Sequence, residues 1–427
     1  MSLLTSLSSG TTGLSSASTE LSVIGDNIAN ANTVGFKAER ASFEDALAQS
    51  VVAGTGQIGL GSRLAALQRI IAQGALQNTG VATDLALQGS GFFEVAGTTG
   101  DGRTGIYLTR AGQFTVDRDG YLVNLNGLRV QGYTADSKGT ISSEVGDLRI
   151  GNLAASPHPS GQVRMKANLD ADAPLIAAPW SKDLAAATSN FSSSVTLYDS
   201  IGRDMEAQVY FRHTATGWEW HALVDGAAVE GGSRGVPEEI AAGTLTFDDE
   251  GRLLTSVQTL DTFTPAGAKE QKVLFDMGDP LPDGSGLAGI TQFAAASATT
   301  FVGQDGYGAG QLTSVQIDKK GVIQGVFTNG QMRALGQVGV ARVASPEALE
   351  RAGGNLYALT RASGEAVLGA AGDGGRAFIS SGTLEQSNVD IAEEFVRMIA
   401  AQRAFEANSK TITTADQLLS ELIAMKR

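Results

Sequence analysis

The stretch from Ser387 to Arg427 constrains this chain more than any other part of it. It contains neither Gly nor Pro and is rich in Ala, Glu, Gln, Leu and Met, all good helix formers. Ser387 and Asp390 are N-cap candidates, and Glu393 follows Asp390 at the spacing of a capping box. Ile391, Phe395, Met398, Gln402, Phe405, Ser409, Ile412, Asp416, Leu419 and Ile423 recur in steps of four and three. Such a recurrence is a heptad seam, here interrupted by polar Gln402, Ser409 and Asp416. The spacing predicts one long helix that must lay this seam against something.

The opposite end supplies a match. Leu3, Leu7, Gly10, Leu14, Ala17, Leu21, Ile24 and Ile28 also step by four and three. Small Gly10 and Ala17 between larger residues allow a second helix to approach closely. An isolated helix of this length is marginal in water, whereas each Leu or Ile it buries contributes roughly 1.5–3 kcal/mol. The two ends are therefore expected to order against each other or against neighbouring copies. The simpler alternative is that each docks on its own globular domain.

Helix one is expected to stop in Asp26-Asn-Ile-Ala-Asn-Ala-Asn-Thr-Val-Gly-Phe-Lys37, where Asn27, Asn30, Asn32 and Gly35 tolerate left-handed backbone. A short amphipathic helix is expected from Ala41 to Val51, with Phe43, Leu47 and Val51 on one face. Gly54-Thr-Gly-Gln-Ile-Gly59 spells G-x-G-x-x-G, but a helical pattern, not a strand, precedes it. The next acidic residue is Asp84, so a linker is the better reading than a dinucleotide loop.

From about Leu64 the period turns to alternation, and short runs between Gly, Asn and Asp clusters read as strands. Three of them share one plan: Phe114 to Val123, Leu245 to Leu254, and Val315 to Ile323. Each is a strand, an Asp-led turn closed by Gly120, Gly251 or Gly321, and a returning strand. A calcium loop opening at Asp117 would need Glu at the position held by Leu128, so turn chemistry is preferred. Trp218 and Trp220 sit one alternation apart and are expected to face one core. Gly369 to Gly375 lacks the ending of a phosphate loop and reads as a flexible connection.

The 427 residues allow two or three domains. Their 54 glycines and low charged fraction of 18% suit a β-rich middle with many tight turns. The net charge of −14 argues against nucleic acid or an anionic membrane as partner. There is no cysteine, hence no thiolate chemistry. His158, His213 and His221 lack metal-ligand spacing, and no G-x-S-x-G elbow marks a nucleophile. No enzyme, cofactor or metal site is expected. The N-terminus lacks the basic segment of a secretory signal peptide, and no apolar run is long enough to span a bilayer.

The segment Asn27 to Lys37 resembles one signature of the bacterial flagellar rod and hook proteins. Leu384 to Asp390, which includes Ser387, Asn388 and Val389, resembles the other, as does Ala401-Gln-Arg-Ala-Phe405 with Gln402 and Arg403. Gly35 and Phe36 close the first motif. Gln77 to Gly80, Gly91 to Phe93, Arg110 to Phe114, Val195 to Ser200, Gln304 to Tyr307 and Leu335 to Val338 are similar to the hook branch of that family.

The resemblance implies mainly β outer domains and a coiled coil of the paired N- and C-terminal segments. The domains would nest: 1–32 with 387–427, a linker at 33–69, 70–147 with 300–372, and 148–299 inserted. The resemblance also implies a homopolymer forming a flexible tubular joint outside the cell, which transmits torque from rod to filament. Its partners would be other copies, the rod and hook–filament junction proteins, a hook cap and the flagellar type III export apparatus. A distal rod protein of the same family, and a β-rich binding or adhesin module with helical ends, are the alternatives.

Overall fold

The computed structural model describes residues 3–47, 59–151 and 153–425. The Gly54–Gly59 motif, apart from Gly59 itself, and Val51 lie outside them. The described residues are mostly strands, with one long helix at each end: α1 (Leu3–Ala29) and α2 (Ile391–Met425). They divide into two compact units, Met1–Leu153 with Ser314–Val326 and Met332–Arg427, and Ala154–Thr313 with Phe327–Gln331. No described helix is long and apolar enough to cross a membrane.

In the first unit α1 and α2 pack together, and α1 also packs on a hairpin of β1 (Glu39–Leu47) and β2 (Gly59–Arg69). The stretch after Ala41, expected to be helical, is thus a strand, paired from Glu39↔Arg69 to Leu47↔Gly59. Its Ala, Glu and Leu favour helix locally. Pairing to β2 and contact with α1 override that weak preference. Gly61 has φ +98°, and a Cβ there would collide with the Thr12 side chain, so the hairpin lies close along the helix. Antiparallel strands fill the rest of this unit. Phe92–Thr98 pairs with Thr104–Thr109, and Met332–Arg342 pairs with Arg129–Ala135 and Val367–Ala370. Phe92, Phe93, Leu108, Phe114, Val338 and Val340 are buried.

The second unit is built on a five-stranded antiparallel sheet in chain order, Phe191–Tyr198, Asp204–Thr214, Gly217–Asp225, Pro237–Phe247 and Leu253–Leu260. A three-stranded sheet centred on Gln162–Asn168 shares its core. Trp218 and Trp220 both lie in that core, as their alternation requires. His213 stacks on Trp218 and His221 on Trp180.

The three repeated turns follow one chemistry. Gly120, Gly251 and Gly321 have positive φ and donate to the Asp117, Asp248 and Asp318 carbonyls. Each Asp side chain accepts from the backbone of Tyr121, Arg252 or Val322. The carboxylates are spent on closing hairpins.

The Gly369–Gly375 patch differs from its expectation. It finishes a strand and forms a turn that the Arg376 guanidinium ties down by donating to the carbonyls of Val340, Val367 and Asp373. Its glycines make room for that side chain, since a Cβ on Gly369 would sit 2.4 Å from the Arg376 Cζ.

Candidate functional site

Asp390 caps α2, its carboxylate accepting from the backbone N–H of Ala392 (2.8 Å) and Glu393 (3.2 Å). Glu393 does not complete a capping box; its carboxylate takes the Arg397 guanidinium at 2.6 Å. Ser387 accepts from Val389 N–H. On α1, Leu7, Leu14, Leu21 and Ile28 are partly covered, and Gly10, Ala17 and Ile24 are buried. The side chains of Leu3, Leu419 and Ile423 lie outside the described set.

On α2 one column of the expected seam is found and the other is displaced. Met398, Phe405 and Ile412 are partly covered. Their companions are Glu394, Ala401, Asn408 and Ala415, each one residue before Phe395, Gln402, Ser409 and Asp416. The reason is steric. A Cβ on Gly10 would sit 3.0 Å from Ile412 Cγ1, and one on Gly13 would sit 2.8 Å from the Asn408 amide. Helices this close need small residues or flat amides between them. Ile391 and Phe395 are 43% and 50% exposed, and Gln402 and Arg403 face outward. With Val396 and Ile399, also exposed, they leave an apolar stripe along the first turns of α2.

Below the helices the two end motifs meet. Asn27 mimics a strand partner, donating to the Glu39 carbonyl (2.8 Å) and accepting from its N–H (3.0 Å). It also donates to Glu394 of α2 at 3.3 Å. Burial raises the Glu394 carboxyl above its ordinary range, an effect that Arg397 and Asn27 partly offset. Asn30 binds back to Asp26, and Asn32 is exposed. Gly35 has φ +71° and donates to the Glu385 carbonyl at 2.7 Å. A Cβ there would meet Ala111 N at 2.6 Å. Phe36 is buried beneath the Arg351 guanidinium. Asn388 accepts from Ala38 N–H and donates to the Ile70 and Ala72 carbonyls.

At the centre is a charged clasp. Lys37 Nζ lies 2.6 Å from Glu385 Oε1, with both side chains fully buried. Arg110, also buried, reaches Glu385 Oε2 at 3.2 Å. The Gly74 N–H donates to Glu385, Lys37 donates to the Ala72 carbonyl and Arg110 to the Gly89 carbonyl, while the buried Arg110 Nε has no partner among the described residues. Burial pulls the Lys37 ammonium below the ordinary lysine range, against the opposing pull of Glu385. Sequence reasoning singled out none of these three ions, although each stands inside a stretch that carried the resemblance. Charges held among Gly and apolar residues were the available signal.

Four family models match: Flagella basal body rod protein at 7–37, Flagellar hook protein FlgE/F/G D1 domain at 86–156, Flagellar basal body protein FlaE D2 domain at 168–307, and Flagellar basal body rod FlgEFG protein C-terminal at 380–425. The chain is 37% identical to the flagellar hook protein FlgE of Borreliella burgdorferi, across 99% of this chain and 100% of that one. This chain belongs to the flagellar hook protein family. The FlgE proteins of Salmonella typhimurium (34%, 99% of this chain and 100% of that one) and Escherichia coli (33%, 98% and 99%) are similar over almost the same extent. Lys37, Arg110 and Glu385 fall in three different matched segments, so the clasp ties together three modules of a hook-family chain.

Proposed function

We propose that the chain is a structural subunit of the flagellar hook, assembling with copies of itself through its terminal helices into a tubular joint. The role is mechanical, and no reaction is assigned to it. The observation that carries this reading is the unpartnered apolar stripe of Ile391, Phe395, Val396 and Ile399 on α2, in a chain that matches hook proteins from end to end. A face of that kind on a soluble chain marks an interaction surface. In the assembled state α1 and α2 would form a coiled coil, its inner seam closed within one subunit and the stripe closed by neighbours. The β-rich units would form the outer layers. The same reading gives the joint its task of passing torque from rod to filament, its contacts with rod and junction proteins, and its growth beneath a cap after export.

The stripe also gives the free subunit a reason to polymerise only where neighbours are present. Four apolar side chains that are 43–68% exposed each stand to gain about half of the roughly 1.5–3 kcal/mol of full burial, against the ordering cost of association. Electron microscopy of the concentrated protein tests the reading. Tubes support the hook subunit, and persistent monomers at high concentration favour a binding or adhesin module.

A further inference from the structure

The first unit contains a pocket of ≈ 360 Å³ beside the clasp. Arg110 and Arg342 stand in its wall, together with Gln73, Ser90, Gly91 and Phe92 among others. Among the described residues no Asp or Glu lines it. Arg110 is 2% exposed and packs over the Phe92 ring at 5.4 Å. Its guanidinium donates to the Gly89 carbonyl and to Glu385. Glu385 is shared, since Lys37 already holds its other oxygen. The buried set is therefore two cations and one anion, and it carries one uncompensated positive charge. Arg342, exposed to solvent, adds a third cation at the rim. It donates to the neutral Gly374 carbonyl at 3.0 Å, and no carboxylate among the described residues pairs with it.

A charge held out of water without a counterion is costly. An anion in this pocket offsets the surplus charge of the clasp, and the exposed Arg342 guanidinium is the group that can receive a carboxylate, since the terminal nitrogens of Arg110 already hold Glu385 and Gly89. The chain has 45 acidic residues against 31 basic ones, so a second copy is a ready source of carboxylates. The pocket has room for a carboxylate side chain and some of the backbone that carries it. We propose that this pocket receives an acidic side chain from a neighbouring copy, as a polar contact between subunits distinct from the apolar stripe on α2. The proposal rests on the subunit reading above.

Seeded polymerisation followed by light scattering tests it. Arg342→Gln should raise the critical concentration about tenfold and flatten its salt dependence, with the far-ultraviolet circular dichroism unchanged. Ser90→Asp, which supplies a carboxylate at the pocket from within the same chain, should raise it likewise, and Arg342→Lys should fall between. Acetate replacing chloride at equal ionic strength should raise the wild-type value and leave that of Arg342→Gln unmoved. Equal critical concentrations for wild type and Arg342→Gln overturn the proposal and leave the subunit reading intact. Acetate that shifts the Arg342 side-chain resonance of the monomer without moving the critical concentration is free-anion binding only, and overturns it as well. A wild-type chain that forms no polymer at all defeats the subunit reading, and this proposal with it.

Discussion

Glu385 is the residue on which the clasp turns, because two buried cations depend on one carboxylate. Removing one partner from a buried pair is far more costly than the pair is worth, at about 3–5 kcal/mol. Glu385→Gln should therefore destabilise the first unit by that amount in guanidinium unfolding followed by circular dichroism. All three tryptophans lie in the second unit, so tryptophan fluorescence should report an unchanged second transition. Gly35→Ala should cost at least about 1–3 kcal/mol, from left-handed backbone and a clash with Ala111. Gly35 was legible in the sequence as a left-handed stop. The clasp was not, because Lys37 and Glu385 lie at opposite ends of the chain and charge pairs at that separation leave no periodic trace. Only the fold that brings strand Thr383–Glu385 against Leu76–Asn78 puts them in one place.

Helix existence, helix length and the step of four and three were all readable from residue spacing, and so were the three Asp–Gly turns. Choosing between the two candidate columns on α2 was not. Phe395 looks like a better seam residue than Ala401 or Asn408, but close approach of α1 at Gly10 and Gly13 selects the smaller or flatter side chains. The strand at Glu39–Leu47 was hidden for a related reason, since its pairing is tertiary. Two predictions belong at this scale. Ile412→Asp places an unpaired charge opposite Gly10 and should abolish polymerisation with the second unit intact by fluorescence. Glu394 has a raised carboxyl value in the docked helices. A raised acid favours the state that keeps the proton, so its contribution to docking is fully present below the ordinary carboxyl value and is lost as pH rises through the raised one. Thermal melts at 222 nm across pH should show this loss above the ordinary carboxyl value, and Glu394→Gln should remove it.

For the molecule as a whole, the division of labour is between paired ends and β-rich units. The ends carry an exposed apolar stripe, while the clasp ties Lys37 and Glu385, which flank the two helices, to Arg110 in the strands of the same unit. Resemblance at the two termini was enough to read the family, and two residues of those motifs, Asn27 and Asn388, make backbone-like hydrogen bonds in the fold. The Gly-rich turn near Asp373, tied by Arg376, gives no support to bending at that point, so compliance between subunits is better sought in their mutual contacts.

The central claim is that α2 drives self-assembly, and the most direct measurement is electron microscopy of the chain ended after Asp390 beside the full-length protein. The account predicts tubes from the full chain and none from the shortened one, with the tryptophan fluorescence of the second unit alike in both. Tubes growing from the shortened chain would contradict it.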